Sequence, residues 1–289
     1  MWAEKVFPQK PYNVDRLFRR LSMDPLQYVD DDNKILKVPL RIKGQKGVYS
    51  VQFIGTDEQP CFEISGKDAK TKGEAVTRIC EMFDLQMDPN SIYSAFRKTN
   101  ISSLVENYIG MPLIGETDVY STLLKNIIHQ QLNMKFAYTL TYRFVSQYGT
   151  KVDNAWFYPQ PEVVSKLKVE ELRELQFSQR KAEYVIGIAK KIVSGDLDLQ
   201  KLHTLTNQEV YEELLPVRGV GPWTVECVLL FGLRRKDILP AGDVGIQNAI
   251  LKWYQLPTKP TKEEVKAYQK NWSPYSSYIS MYLWESLSG

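Results

Sequence analysis

The hydrophobic pattern of this chain changes period once, near residue 90, and no other feature constrains the fold as tightly. Residues 34–43 read Lys-Ile-Leu-Lys-Val-Pro-Leu-Arg-Ile-Lys. Leu36, Val38, Leu40 and Ile42 alternate with Lys37, Pro39, Arg41 and Lys43, the two-residue period of a strand with one buried face. Pro39 brings no N–H to a ladder, so it predicts an edge position or a bulge. A turn over Gly44 to Gly47 leads into Tyr49, Val51 and Phe53, which continue the alternation. Phe62 and Ile64 predict another short strand, and a helix follows from Lys72 to Phe83. Residues 1–90 therefore read as an antiparallel α+β domain with no chemical signature of its own.

Beyond that point the spacing is helical. Leu124, Ile128, Leu132, Phe136, Leu140 and Phe144 recur every fourth residue between Asp118 and Tyr148. That predicts one long buried stripe, closed by Gly149 as a C-cap. Ala182, Ile186, Ala189 and Val193 share a face of a second helix over 179–193, ended by Gly195 and Asp196.

Composition removes several classes of function. Only three cysteines occur, Cys61, Cys80 and Cys227, all widely separated. They exclude a disulfide framework, a four-cysteine zinc site and a four-cysteine iron–sulfur cluster, and make a reduced, cytoplasmic setting the default. No apolar stretch approaches the roughly 20 residues of a membrane span, and the opening residues lack the long apolar run of a signal peptide. The net charge of +3 permits a nucleic-acid partner without demanding one. With only His129 and His203, histidine-based chemistry has little to work with. Metalloprotease, P-loop, nucleophile-elbow and Rossmann motifs are missing. Nothing in the sequence calls for an oligomer, so a monomer is expected.

The stretch from Thr206 to Ile250 is the informative one. Thr206-Asn207-Gln208-Glu209 has capping-box form and predicts a short helix to about Leu215. Then come Gly219-Val220-Gly221-Pro222-Trp223-Thr224, with Pro222 suited to the first turn of the next helix. Two glycines between helices make a tight connection. The same arrangement also offers backbone N–H groups and a helix N-terminus to a phosphate, a grip that needs few lysines. Twenty residues on, Pro240-Ala241-Gly242-Asp243 places a carboxylate at the start of a further helix. Asp243 is there either as an ordinary N-cap or as a catalytic acid beside a DNA-gripping hairpin.

Val217–Phe231 followed by Pro240–Ile250 resembles the helix–hairpin–helix DNA glycosylase superfamily. Three more segments resemble its AlkA-type, 3-methyladenine II branch. They are Ile127-Ile128-His129-Gln130-Gln131-Leu132, then Phe177 to Tyr184, then Trp272-Ser273-Pro274-Tyr275 with Tyr278, Tyr282 and Trp284. The resemblance covers most of 91–289, and the front unit is similar to that branch's amino-terminal domain. It implies an all-α helix–hairpin–helix module of two lobes, 118–235 and 91–117 plus 236–289, with a pocket between them.

It further implies base excision repair of damaged double-stranded DNA. Asp243 would be the catalytic carboxylate. Trp223, Trp284 and Cys227 would line the base pocket, the cysteine standing where an aromatic residue can occur. Gly219, Val220, Gly221 and Thr224 would meet the DNA backbone, while Gln131, with Gln130 beside it, would fill the gap left by a flipped nucleotide. Read from the residues alone, the tryptophans are also ordinary core and the glutamines an exposed helix edge. Lyase relatives carry a lysine where Trp223 stands, so simple hydrolysis of an alkylated purine is expected. Ser276 replaces the branch's usual arginine. No cofactor or catalytic metal is expected, although a structural monovalent cation at the hairpin would suit the family. The competing expectations are a same-fold enzyme for oxidised or deaminated bases and a non-catalytic DNA-damage-binding protein.

Overall fold

The computed structural model describes residues 1–287. Its front part is a five-stranded antiparallel sheet in the order β1-β5-β4-β3-β2. The strands are β1 (Trp2–Val6), β2 (Tyr28–Asp30), β3 (Ile35–Ile42), β4 (Gln45–Phe53) and β5 (Phe62–Gly66). Along β3 the residues Leu36, Val38, Leu40 and Ile42 are all buried, as the alternation requires. Helices α1 (Val14–Ser22) and α2 (Lys72–Met82) lie against this sheet. Pro39 sits past the end of three-residue β2, where that flank of β3 has no partner strand. The turn is tighter than expected. Lys43 and Gly44 make it alone, both with positive φ, while Gly47 is already inside β4 and leaves room for the Tyr49 ring.

Two short helices, α3 (Pro89–Phe96) and α4 (Ser102–Tyr108), lead into the helical part. The expected single stripe over 118–148 is two helices, α5 (Val119–His129) and α6 (Met134–Tyr148). Three local features break it. Gln131 takes a left-handed φ of 57°, Asn133 caps α6 through a 2.9 Å bond from the Phe136 N–H, and Lys181 captures the carbonyls of Ile128 and Gln130. Apolar spacing alone continues through such a break because Leu132 still packs against the core. Gly149 does cap α6, but with extended backbone rather than a left-handed turn.

A small hairpin, β6 (Thr150–Val152) and β7 (Ala155–Phe157), is followed by α7 (Pro161–Val164), α8 (Val169–Glu174) and α9 (Gln179–Ser194). Gly195 ends α9 in the left-handed conformation. The capping box at Thr206 and Glu209 starts α10 (Asn207–Leu214) as expected. Helix α11 (Pro222–Cys227) continues as a π turn over Val228–Gly232, and α12 (Val244–Trp253), α13 (Lys262–Trp272) and α14 (Ser276–Glu285) complete the chain. Helix α5 contacts α6, α9 and α11, whereas α12, α13 and α14 pack together and α14 meets α4. No described helix is long and apolar enough to cross a membrane.

Candidate active site

Asp243 is the N-cap of α12 and also the point where two indoles meet. Its Oδ1 accepts the Ile246 N–H at 2.9 Å, which is the N-cap of α12. The same carboxylate accepts two indole N–H groups, Trp284 on Oδ1 at 2.8 Å and Trp223 on Oδ2 at 2.9 Å. All three residues of this triad are partly exposed. A carboxylate therefore stands at an open edge, fixed by three donors and framed by two aromatic rings. Gly245 makes the approach possible, since a Cβ there would lie 2.9 Å from Asp243 Oδ1 and 3.0 Å from Trp284 Cδ1.

The two tryptophans come from elements far apart in sequence, the first turn of α11 and the last turn of α14. Phe231 stacks on Trp284 with ring centres 6.0 Å apart at 25°, so one face of that indole is already covered. Cys227 lies beneath the site, 2% exposed, and burial pushes its thiol pKa well up, with Asp243 and Glu226 adding to the rise. Glu226, one turn along α11 from Trp223, is also buried and has an Oε2 without a hydrogen-bond partner among the described residues. Burial raises its pKa, opposed by the Tyr211 hydroxyl and by Lys262 and Lys266.

The hairpin between α10 and α11 divides its labour. Gly219 has a φ of +95°, and a Cβ there would come within 2.5 Å of Tyr184 Cδ2 and 2.8 Å of Tyr184 Cβ. Only glycine satisfies both limits. Gly221 faces open space instead, with nothing within 4 Å of a would-be Cβ. Among the described residues the N–H groups of Gly219 and Gly221 have no acceptor, while the Val220 N–H closes a turn onto Val217 O at 2.9 Å. Val220 and Thr224 are buried, so their side chains support the hairpin from below rather than lie on its surface.

Gln130 belongs with those supports. Its Nε2 donates to Gly219 O at 3.0 Å and to Thr224 Oγ1 at 2.9 Å, which ties the α5–α6 turn to the hairpin. Gln131 alone projects outward, exposed on its left-handed backbone. Lys181 donates to Gln130 O at 2.6 Å, and burial brings its pKa down to about 8. This explains the Phe177–Tyr184 segment physically, for Lys181 holds the glutamine turn and Tyr184 fills the space under Gly219. Ser276 is fully buried at the start of α14 and bonds Asp237 through its hydroxyl, a structural position. His129 meets Thr141 Oγ1 at 3.0 Å and the edge of Tyr138, and burial lowers its pKa to about 3.

The comparisons with known proteins fit this arrangement. Residues 124–274 match the model of the HhH-GPD superfamily base excision DNA repair protein, and residues 8–118 match the AlkA N-terminal domain. The chain is 42% identical over 288 residues to a putative DNA-3-methyladenine glycosylase of Bacillus subtilis, covering 99% of this chain and 100% of that one. The chain belongs to the HhH-GPD superfamily. A second Bacillus subtilis relative, a DNA-3-methyladenine glycosylase, is 32% identical over 219 residues, 74% of this chain and 72% of its own. Among solved structures, the 3-methyladenine DNA-glycosylase from Archaeoglobus fulgidus superposes with a TM-score of 0.87 at 22% identity, covering 99% and 98% of the two chains. The Schizosaccharomyces pombe 3-methyladenine DNA glycosylase in complex with abasic DNA gives 0.60 at 28% identity over 70% of this chain and 98% of that one.

Two neighbours of the triad escaped sequence reading. Phe231 stacks on Trp284 but is an ordinary apolar residue with no local signal. Glu226 was readable only as a helix residue, although its i,i+3 spacing from Trp223 puts both on one side of α11.

Proposed function

We propose that this protein is a monofunctional DNA glycosylase that hydrolyses the N-glycosidic bond of alkylated purines in duplex DNA. One observation carries the reading: a carboxylate held by three N–H donors at an open edge between two indoles, next to a glycine hairpin with free N–H groups. In this reading Gly219 and Gly221 receive a DNA phosphate through backbone N–H groups, assisted by the N-terminus of α11. Open space at Gly221 admits the phosphate, and Gln131 enters the duplex in place of the extruded nucleotide. Both supports named above, Gln130 and Thr224, act by keeping hairpin and wedge in register.

The damaged base then enters the space beside the indoles. As the bond from C1′ to the base breaks, positive charge develops on the sugar, and the Asp243 carboxylate stabilises it. Water adds to C1′ and gives up a proton, leaving an abasic sugar and the free base. The indole N–H groups hold the carboxylate in place and do not react. Trp223 stands where a lyase would need an amine, so the strand stays intact. A structural monovalent cation on hairpin carbonyls would suit this reading, and no step depends on one.

The test is direct. Duplex DNA treated with a methylating agent is incubated with the protein, free bases are separated chromatographically, and the strand is examined before and after alkali. Release of methylated purine, with breaks only after alkali and no borohydride-trapped adduct, is the expected result. A trapped covalent adduct would refute monofunctional hydrolysis, and absence of any released base would refute the glycosylase.

A further inference from the structure

Lys181 lies in the first turn of α9, where a cation meets the positive end of its own helix. Its ammonium is held by a different helix. The Nζ donates to Ile128 O, in the last turn of α5, and to Gln130 O at 2.6 Å, in the turn that follows. Neither carbonyl has a backbone partner among the described residues. The Leu132 N–H, which would reach Ile128 O in an unbroken helix, goes to His129 O at 3.2 Å. Lys181 thus stands in for missing N–H groups and sets its charge at the negative end of α5. The residue after Gln130 is Gln131, exposed and at a φ of 57°.

No carboxylate shares this ammonium among the described residues. On its own helix Glu183 takes Arg218 at 2.8 Å, and Arg180 is exposed. On α5, Lys125 takes Asp24 and Glu116, and His129 is neutral. The other helices packed on α9 carry Glu162 (α7) and Glu170, Glu171, Arg173 and Glu174 (α8), none of them bonded to Lys181. Burial without a counter-ion brings the pKa of Lys181 down to about 8. The charge that holds the turn is therefore lost in a pH range where an ordinary lysine keeps it.

We propose that Lys181 is the positioning residue for nucleotide extrusion: charged, it locks the α5–α6 turn with Gln131 set into the duplex, and neutral, it lets that wedge withdraw. The proposal rests on the reading of Gln131 given above and assigns the control of its step. Loss of the proton turns two charge-assisted bonds into weak amine–carbonyl bonds and removes the cation from the end of α5. The Gln130 side chain still bonds Gly219 O and Thr224 Oγ1, so the hairpin keeps its place. Binding and extrusion therefore separate as pH rises: the duplex stays held while the wedge comes out. Fold stability moves the other way. The unfolded chain binds a proton at this lysine that the folded chain has lost between about pH 8 and pH 10, so over that window Lys181 makes stability rise with pH. Loss of extrusion there is not loss of fold.

The test uses a duplex with a tetrahydrofuran abasic analogue facing 2-aminopurine, whose fluorescence rises when an inserted side chain unstacks it. Anisotropy of an end label reports binding separately. Wild type, Lys181→Met, Lys181→Arg and Gln131→Ala are compared at saturating protein from about pH 6.5 to 9.5, with Lys181→Gln as a second uncharged variant should the methionine disturb folding. The wild-type 2-aminopurine signal should fall with a midpoint near pH 8, to about a tenth by pH 9, while binding is largely retained. In the uncharged variant the signal should be low already at neutral pH and should not titrate, as in Gln131→Ala. Lys181→Arg, charged throughout, should keep its signal across the range. A wild-type signal that does not titrate, a full signal in the folded uncharged variant, or an arginine variant that loses its signal overturns the assignment of Lys181 and leaves the glycosylase reading intact. A protein that binds no abasic duplex at any pH overturns the glycosylase reading and this one with it.

Discussion

Replacing each hairpin glycine by alanine separates fold from grip. Gly219→Ala forces a side chain into a left-handed φ of +95°, which costs about 1–2 kcal/mol. The new Cβ also runs into Tyr184 near its backbone, 2.8 Å from Cβ, where the ring cannot swing aside cheaply, and overpacking of this kind costs about 1–3 kcal/mol. Together the loss should be about 2–5 kcal/mol, a large share of a typical domain's stability. Gly221→Ala has a φ of −109° and free space, so its stability should stay within about 0.5–1 kcal/mol of wild type. Its added methyl group nevertheless stands where a phosphate would approach, and affinity for an abasic duplex should fall about tenfold. Urea unfolding gives the first quantity and fluorescence anisotropy the second. Adding Tyr184→Ala to Gly219→Ala should return the packing part of the loss but not the backbone part. If Gly219→Ala were as stable as wild type, or if Gly221→Ala bound DNA normally, the division of roles between the two glycines would be wrong.

Other outcomes follow from the same contacts. Trp223→Phe and Trp284→Phe each keep a ring but remove a donor to Asp243, and each should slow base release by about tenfold or more while leaving DNA affinity nearly unchanged. A loss confined to affinity would argue that the indoles serve packing alone. Gln130→Ala breaks two bonds that join the α5–α6 turn to the hairpin, and should cost about 1–3 kcal/mol in urea unfolding together with weaker DNA binding. His129 is held neutral, because burial and the nearby Lys125 charge lower its pKa to about 3. The unfolded chain therefore binds a proton there that the folded one does not, so this stability is present above about pH 6.5 and is lost as pH falls toward 3. Between pH 7 and pH 5 wild type should lose about 2 kcal/mol more than His129→Gln, and parallel stability curves would contradict that.

What was legible in the sequence follows from how locally each feature is specified. The alternation at 36–42, the capping box at Thr206 and the glycine after α9 each depend on neighbours in the chain, and they were read correctly. Strand β1 was missed because its ladder partner is β5, some sixty residues away, and its own residues carry no alternation of the usual kind. The α5–α6 break was missed for a related reason. It is enforced by Lys181 and by the Gln130 side chain, both acting across long sequence separations, while the apolar spacing runs on undisturbed. Asp243, Trp223 and Trp284 were named from a resemblance, and the structure brings the three side chains together.

Asparagine at 243 offers the most direct test of the central claim. It caps a helix about as well as aspartate, so the Ile246 contact and the start of α12 should survive, although only one indole keeps an oxygen acceptor. What disappears is the negative charge. Single-turnover base release by Asp243→Asn should fall by at least about a hundredfold, with affinity for an abasic duplex largely retained. Release at the wild-type rate would show that this carboxylate is only a helix cap.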